Sequence, residues 1–130
     1  MTSQKKAAIT LDMKKQRIRI HKQTLHMLGN PEYVQLLINP IQKSIVLLAC
    51  PKEAFQAHKV TPKKDADCEL YSKELLRQLQ LVDPHLEQNA SYLLYGQIHL
   101  QLGLVQFHLA DILPIKANQP PKSKEKGVAI

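Results

Sequence analysis

Lys14, Lys15, Arg17, Arg19 and Lys22 crowd five cations into nine residues. Clustered lysine and arginine attract phosphates and displace the counterions condensed on them, so the chemistry to expect here is the binding of a polyanion. The charge distribution along the chain agrees. Residues 1–64 carry twelve Lys/Arg against three Asp/Glu, net +9; residues 65–115 carry two against seven, net −5; residues 116–130 carry four against one, net +3. One part of the molecule is a cation and another an anion. Beyond charges that merely solubilise their own faces, two functions are compatible with that split: a nucleic-acid surface on the first part, or a protein-interaction face on the acidic part that meets a basic partner or the basic half of another copy.

Residues typical of enzymes do not assemble. His21, His26, His58, His85, His99 and His108 are scattered, with no serine or cysteine nucleophile motif and no clustered carboxylates beside them. His99 and His108 fall on the last hairpin, where they could face each other across it but read more simply as its solvent face. Four glycines, none grouped, leave no phosphate-binding loop, and the aromatic residues are not spaced as stacking platforms for single-stranded RNA. Cys50 and Cys68 read as small, buried apolar residues; a zinc site built on Cys50, His58 and Cys68 lacks a fourth ligand and a standard spacing. A non-enzymatic protein with no cofactor and no metal is expected.

The elements that must carry the basic cluster are short. Ile9, Leu11 and Met13 alternate with Ala8, Thr10 and Asp12, and Ile18 and Ile20 alternate with Arg17 and Arg19, the period-two pattern of half-buried strands. Lys14-Lys15-Gln16 is then the turn between them and the most basic point of the first half. A helix of about two turns follows, with Thr24 as candidate N-cap, Leu25 and Leu28 as its apolar pair, and Gly29-Asn30-Pro31 as its stop. Helices below roughly 12 residues are marginal in water, so these leucines must dock on something. That something is the hairpin Val34 to Ile38 and Ile45 to Ala49, turned at Asn39-Pro40-Ile41-Gln42-Lys43.

The pattern then returns. Cys68-Glu69-Leu70-Tyr71 reads as a strand, Ser72 caps an amphipathic helix running from Lys73 to Leu81, and Tyr92 to Leu100 with Leu104 to Leu109 form a second hairpin, Gly103 lying near its turn. Ala54 to Val60 could supply a polar strand ahead of them. Sliding the chain on itself by fifty residues sets Ile20 on Leu70, Lys22 on Ser72, Thr24 on Glu74 and Leu25 on Leu75, with an insertion around Val82 to Ala90. We read an internal duplication of one β-β-α-β-β unit, each copy too small to hide its apolar face alone. The organisation expected is a basic first unit over 1–50, a connector over 51–67 that could hold the second unit's first strand, an acidic second unit over 68–115, and a flexible basic tail over 116–130. With no tryptophan, four tyrosines and two phenylalanines, the core is expected to be aliphatic. Met1 to Lys6 is polar and basic, and no stretch approaches the roughly 18 apolar residues of a membrane span, so a soluble, cytoplasmic protein is expected.

Leu11-Asp12, Gln16-Arg17-Ile18-Arg19-Ile20, Leu25, Leu28-Gly29, Val34-Gln35-Leu36 and Ile45-Val46-Leu47, taken together, resemble the AbrB-type swapped-hairpin DNA-binding domain. The likeness covers Ile9 to Ala49 closely and Ala54 to Ala110 loosely. It departs from the family at Gln16, where the turn usually has glycine, at His21, where a proline usually follows the second strand, and at Pro31-Glu32-Tyr33 before the hairpin. What the resemblance implies is an α+β fold in which two β-β-α-β-β units interleave their hairpins into one small barrel. Proteins resembling MraZ carry both copies in one chain, so the barrel here would be pseudo-dimeric. It also implies double-stranded DNA as partner, and a transcriptional regulator or antitoxin-like role. Arg17 would stand at the family's turn arginine, suited to a bidentate phosphate contact or a guanine edge; Arg19 and Lys22 would flank it, and Lys14 and Lys15 would meet phosphates. Lys63 and Lys64 would add to that surface from the second unit's turn, opposed by Asp65, Asp67 and Glu69.

Overall fold

The computed structural model describes residues 6–60 and 66–115. Lys63, Lys64, Asp65 and the tail over 116–130 lie outside the described residues. The chain forms β1 (Ala7–Asp12), β2 (Arg17–Ile20), α1 (Lys22–Met27), β3 (Tyr33–Asn39), β4 (Ser44–Ala49), β5 (His58–Lys59), β6 (Cys68–Tyr71), α2 (Lys73–Val82), β7 (Ser91–His99), β8 (Leu104–His108), a single 3-10 turn (Leu109–Asp111) and β9 (Leu113–Ile115). The strands form one sheet, ordered β5-β3-β4-β8-β7-β1-β2-β6, with β9 added on β7. All its pairings are antiparallel, and it curls into a small, nearly closed barrel with two helices, broadly an α+β fold.

Alternation decides what faces inward. Ile9 and Leu11 of β1, Ile18 and Ile20 of β2, Val34 and Leu36 of β3 and Ile45 and Leu47 of β4 are buried inside, joined by Leu70, Leu94 and Val105. Burying one such side chain is worth about 1.5–3 kcal/mol, and this aliphatic set makes up most of the core. The largest fully buried side chain is nevertheless Phe107. It fits because the neighbouring strand has Gly96 opposite it: a Cβ at Gly96 would lie 2.5 Å from the Phe107 ring. A close approach, not backbone freedom, is what demands glycine there.

The short helix differs from the sequence expectation. Thr24 is not its N-cap; His21 is, with extended backbone and no side-chain cap. Thr24 lies inside the helix, fully buried, its hydroxyl accepting from the Ala8 amide (2.7 Å) and donating to the Ala8 carbonyl (2.8 Å). The physical reason is that β2 ends opposite Ile9, so Ala8 lies beyond the last β1–β2 pair; the threonine gives the Ala8 amide the acceptor a strand would otherwise supply and shares the Ala8 carbonyl with the His21 amide (3.2 Å). The stop is as expected: Gly29 and Asn30 take positive φ (84° and 53°), and the Asn30 amide returns to the Leu25 carbonyl at 2.8 Å. In the polar segment 54–60 only His58–Lys59 is strand; Pro51 to Ala57 is turn, with Ala54 and Ala57 amides bonded to Pro51 and Ala54 carbonyls. That short strand pairs with β3, not with β6. Cys68 is core, Cys50 is half-buried, and desolvation pushes the Cys50 thiol up.

Candidate nucleic-acid interface

The turn between β1 and β2 is built by local hydrogen bonds and by two distant ones. Asp12 Oδ1 accepts from the Lys15 amide at 3.1 Å, which fixes the turn's entry, and Gln16 takes φ +54°, the left-handed conformation that glycine tolerates best. Met13 is buried and its amide donates to Ala90 (3.0 Å), while the Gln16 carbonyl accepts from Ser72 (3.2 Å). The turn is therefore clamped from both sides, and Lys14 and Lys15 project from it exposed. Lys22, at the start of α1, is exposed as well. Among the described residues no carboxylate pairs with the ammonium of Lys14, Lys15 or Lys22.

Arg17 and Arg19 are differently placed. Both lie on the outer face of the barrel, and β2 is paired with β6 so that Arg17 faces Tyr71 and Arg19 faces Glu69. Arg17 Nε donates to Asp12 (3.2 Å) and its Nη1 to Glu69 (3.1 Å), while Arg19 Nη2 donates to the same Glu69 oxygen at 3.1 Å. Two guanidinium groups and two carboxylates thus sum to zero charge. A hydrogen bond to the Tyr71 hydroxyl, followed by the charges of Glu69 and Asp12, outweighs desolvation and raises the Arg17 pKa. The turn lysines and the strand arginines are brought close in sequence and in space, but only the lysines have their charge uncommitted.

The acidic residues of 65–115 are turned largely to internal use. Asp67 Oδ1 accepts from the Lys22 backbone amide at 2.9 Å and so caps α1, which lacks a cap of its own; Glu69 bridges the arginines. Glu74 holds Arg77 by two hydrogen bonds and Gln78 by a third, and Asp83 accepts from the backbone and ring of His85. The Arg77 hydrogen bond, then that of Gln78, keeps the Glu74 carboxyl below its usual range.

The only two cations of 65–115 sit beside the basic turn. Lys73 and Arg77 of α2 line a cleft of about 350 Å³ together with Lys14. Its other polar walls are four carboxamides, Gln16, Gln80, Gln88 and Asn89, over a floor of Met13 and Leu76. The helix presents this edge because Leu76 and Leu79 are buried against the barrel and Ser72 caps it, its hydroxyl accepting from the Leu75 amide at 3.2 Å. Lys73, Arg77 and Gln80 recur at spacings of four and three, one helical stripe, a signal present in the sequence but submerged in the net negative charge of its segment. No local signal announces Gln88 and Asn89. They reach the cleft because the loop after α2 folds back, with Leu86 buried and its carbonyl accepting from Gln80 Nε2 at 3.1 Å.

The histidines stay apart. His99 is opposite Leu104 and His108 opposite Ser44, so they do not meet across the hairpin. His108 is exposed and His99 half-buried, its Nε2 without a hydrogen-bond partner among the described residues. His21 Nε2 lies 2.8 Å from the Thr10 hydroxyl, and desolvation lowers its pKa, with Asp67 opposing and Arg19 adding to that shift. Among the described residues no three His, Cys, Asp or Glu side chains are grouped to hold a metal ion, and no helix is long and apolar enough to cross a membrane. No protein-family description, curated protein or solved structure matches the chain.

Proposed function

We propose that this chain is a non-enzymatic duplex-DNA-binding module, of the kind used by transcriptional regulators and antitoxins, that docks through the β1–β2 turn. The observation that carries this is the unequal fate of the charges. The carboxylates of Asp67, Glu69 and Glu74 are spent on a helix cap and on ion pairs, whereas Lys14, Lys15 and Lys22 keep exposed ammonium groups with no carboxylate partner among the described residues. Lysines in that state give affinity for phosphate without reading sequence. Arg17 and Arg19 join only by exchanging Glu69 for a phosphate or a guanine edge, which suits a second step after the lysines engage.

The strand pairings support reading the barrel as two interleaved β-β-α-β-β units of the swapped-hairpin type. β1 pairs with β7 and β5 with β3, so the first strand of each unit lies on the third strand of the other. β2 pairs with β6 and β4 with β8, joining equivalent strands. Gln16 in left-handed conformation, where the AbrB-type turn has glycine, points the same way.

The test is binding of a labelled mixed-sequence duplex across a salt series. Wild type is expected to lose affinity steeply with salt, and a Lys14→Ala, Lys15→Ala variant to bind several-fold more weakly with a log–log slope smaller by roughly two. Absence of binding at low salt ends this reading. A protein-interaction or assembly role then takes its place, favoured by the apolar side chains exposed at the hairpin turns, Ile41 (92%) and Leu100 (79%), more than by the internally paired acidic half.

A further inference from the structure

We infer that the cleft between the β1–β2 turn, α2 and the loop over 83–90 holds a nucleotide phosphate ester, its cations on the phosphate and its carboxamides on the adjoining sugar or base. The source of that nucleotide is the duplex if the DNA-binding reading above is right, and on that reading the cleft extends the turn's contact onto the second half of the chain. Three features of the cleft carry the inference. First, Lys14, Lys73 and Arg77 come from two elements far apart in sequence and converge on one space of about 350 Å³, large enough for a small-molecule group. Second, no carboxylate lines that space: Glu74, the nearest acid on the helix, lines a separate pocket of about 140 Å³ on the other flank of α2, with His58 and Gln78. Third, Gln16, Gln80, Gln88 and Asn89 each bring one donor group and one acceptor, which complements base edges and, in a free ribonucleotide, the ribose hydroxyls as well; an acidic peptide would need the cations alone.

Glu74 then acts as a competitor for the ligand. Arg77 donates from Nε (3.1 Å) and from Nη2 to Glu74, so a phosphate must take the guanidinium from a carboxylate. Removing the competitor should tighten binding, whereas removing the cations should weaken it. Opposite signs from substitutions at three exposed positions on one helix, Lys73 and Arg77 against Glu74, cannot both come from loss of folding.

The experiment titrates the full chain with a 12-base-pair duplex, with adenosine 5′-monophosphate and with inorganic phosphate. The readouts are affinity and the NMR signals of the side-chain amides of Gln80, Gln88 and Asn89. Expected with the duplex are shifted amide signals, about tenfold weaker binding by Lys73→Gln, Arg77→Gln, and roughly two- to fivefold tighter binding by Glu74→Gln. If the mononucleotide shifts those signals and the duplex does not bind, the cleft stands as a site for free nucleotide and the DNA reading falls. If the duplex binds and Lys15→Gln, Lys22→Gln weakens it, but neither the cleft variants nor the amide signals respond, the DNA reading stands and the cleft inference is overturned. Equal shifts and affinities with inorganic phosphate and the mononucleotide overturn it too, since the carboxamides would then contribute nothing.

Discussion

The two helices follow strands of equal length, yet they are held in opposite ways. α2 is ten residues long and locally specified: Ser72 caps it, Leu76 and Leu79 bury one side, and its remaining stripe is free to present Lys73, Arg77 and Gln80 to the cleft. α1 has six residues and no cap of its own. Asp67 caps it from forty-five residues away, and it anchors to β1 through the buried Thr24. A helix that brings its own stability can spend a face on binding, whereas one that borrows stability is committed to packing.

The largest expected effect breaks α1. Thr24→Val keeps the side-chain shape but strands the Ala8 amide and leaves the Ala8 carbonyl with the His21 amide alone (3.2 Å), and should cost about 1–3 kcal/mol by chemical denaturation. A loss below about 0.5 kcal/mol would show that water replaces the hydroxyl, and that α1 is not anchored in this way. Next, the two caps should separate the helices' roles. Asp67→Ala and Ser72→Ala should each cost about 1 kcal/mol, but only Ser72→Ala, by fraying the end that carries Lys73, should also weaken binding in the cleft. Equal effects of both on binding would erase the distinction between the helices.

A smaller change sharpens the contrast between strand arginines and turn lysines. Glu69→Gln leaves Arg17 with Asp12 alone and Arg19 with no carboxylate among the described residues, so duplex affinity should rise and the salt dependence steepen by up to about two in log–log slope. Stability should change by no more than about 1 kcal/mol, because the pairs are partly solvated. The smallest effect is in pH. His21 in the folded chain has a pKa below the usual 6.5 because of desolvation, so between those two values the unfolded chain binds more protons. Stability should therefore fall as pH is lowered through that window, and the fall should shrink in His21→Gln. An unchanged slope in that variant would assign the acid sensitivity elsewhere, for instance to His58, whose pKa desolvation also lowers.

Short-range information in the chain was enough for most elements. Period-two alternation located β1, β2, β6, β7 and β8 to within about a residue, Gly29-Asn30 ended α1, Ser72 began α2, and Asn39 made the hairpin turn, its side chain accepting from the Ile41 and Gln42 amides. Each of these depends on neighbours within a few residues, where a side chain's preference acts on its own backbone. The aliphatic core was legible for the same reason, save for Phe107, whose place depends on Gly96 in the paired strand.

What only the tertiary structure decided are the relations between halves. Net charge by segment marked 65–115 as an acidic surface, but a sum over sequence cannot know that Glu69 would lie between Arg17 and Arg19, or that Asp67 would cap α1. Nor could it know that Lys73 and Arg77 would face Lys14 across a cleft. Those outcomes are fixed by the β2–β6 pairing and by the loop after α2 folding back to Met13, contacts that run from Ile20 with Cys68 to Met13 with Ala90, between residues that lie far apart along the chain. The chain alone determined both helices, most strands and the main turns, because local preference and periodicity act over a few residues; the two-residue β5, the 3-10 turn and β9 were not among them. Which charges remain available for binding was settled by the closure of the barrel, because an ion pair depends on distance in space and not on distance along the chain.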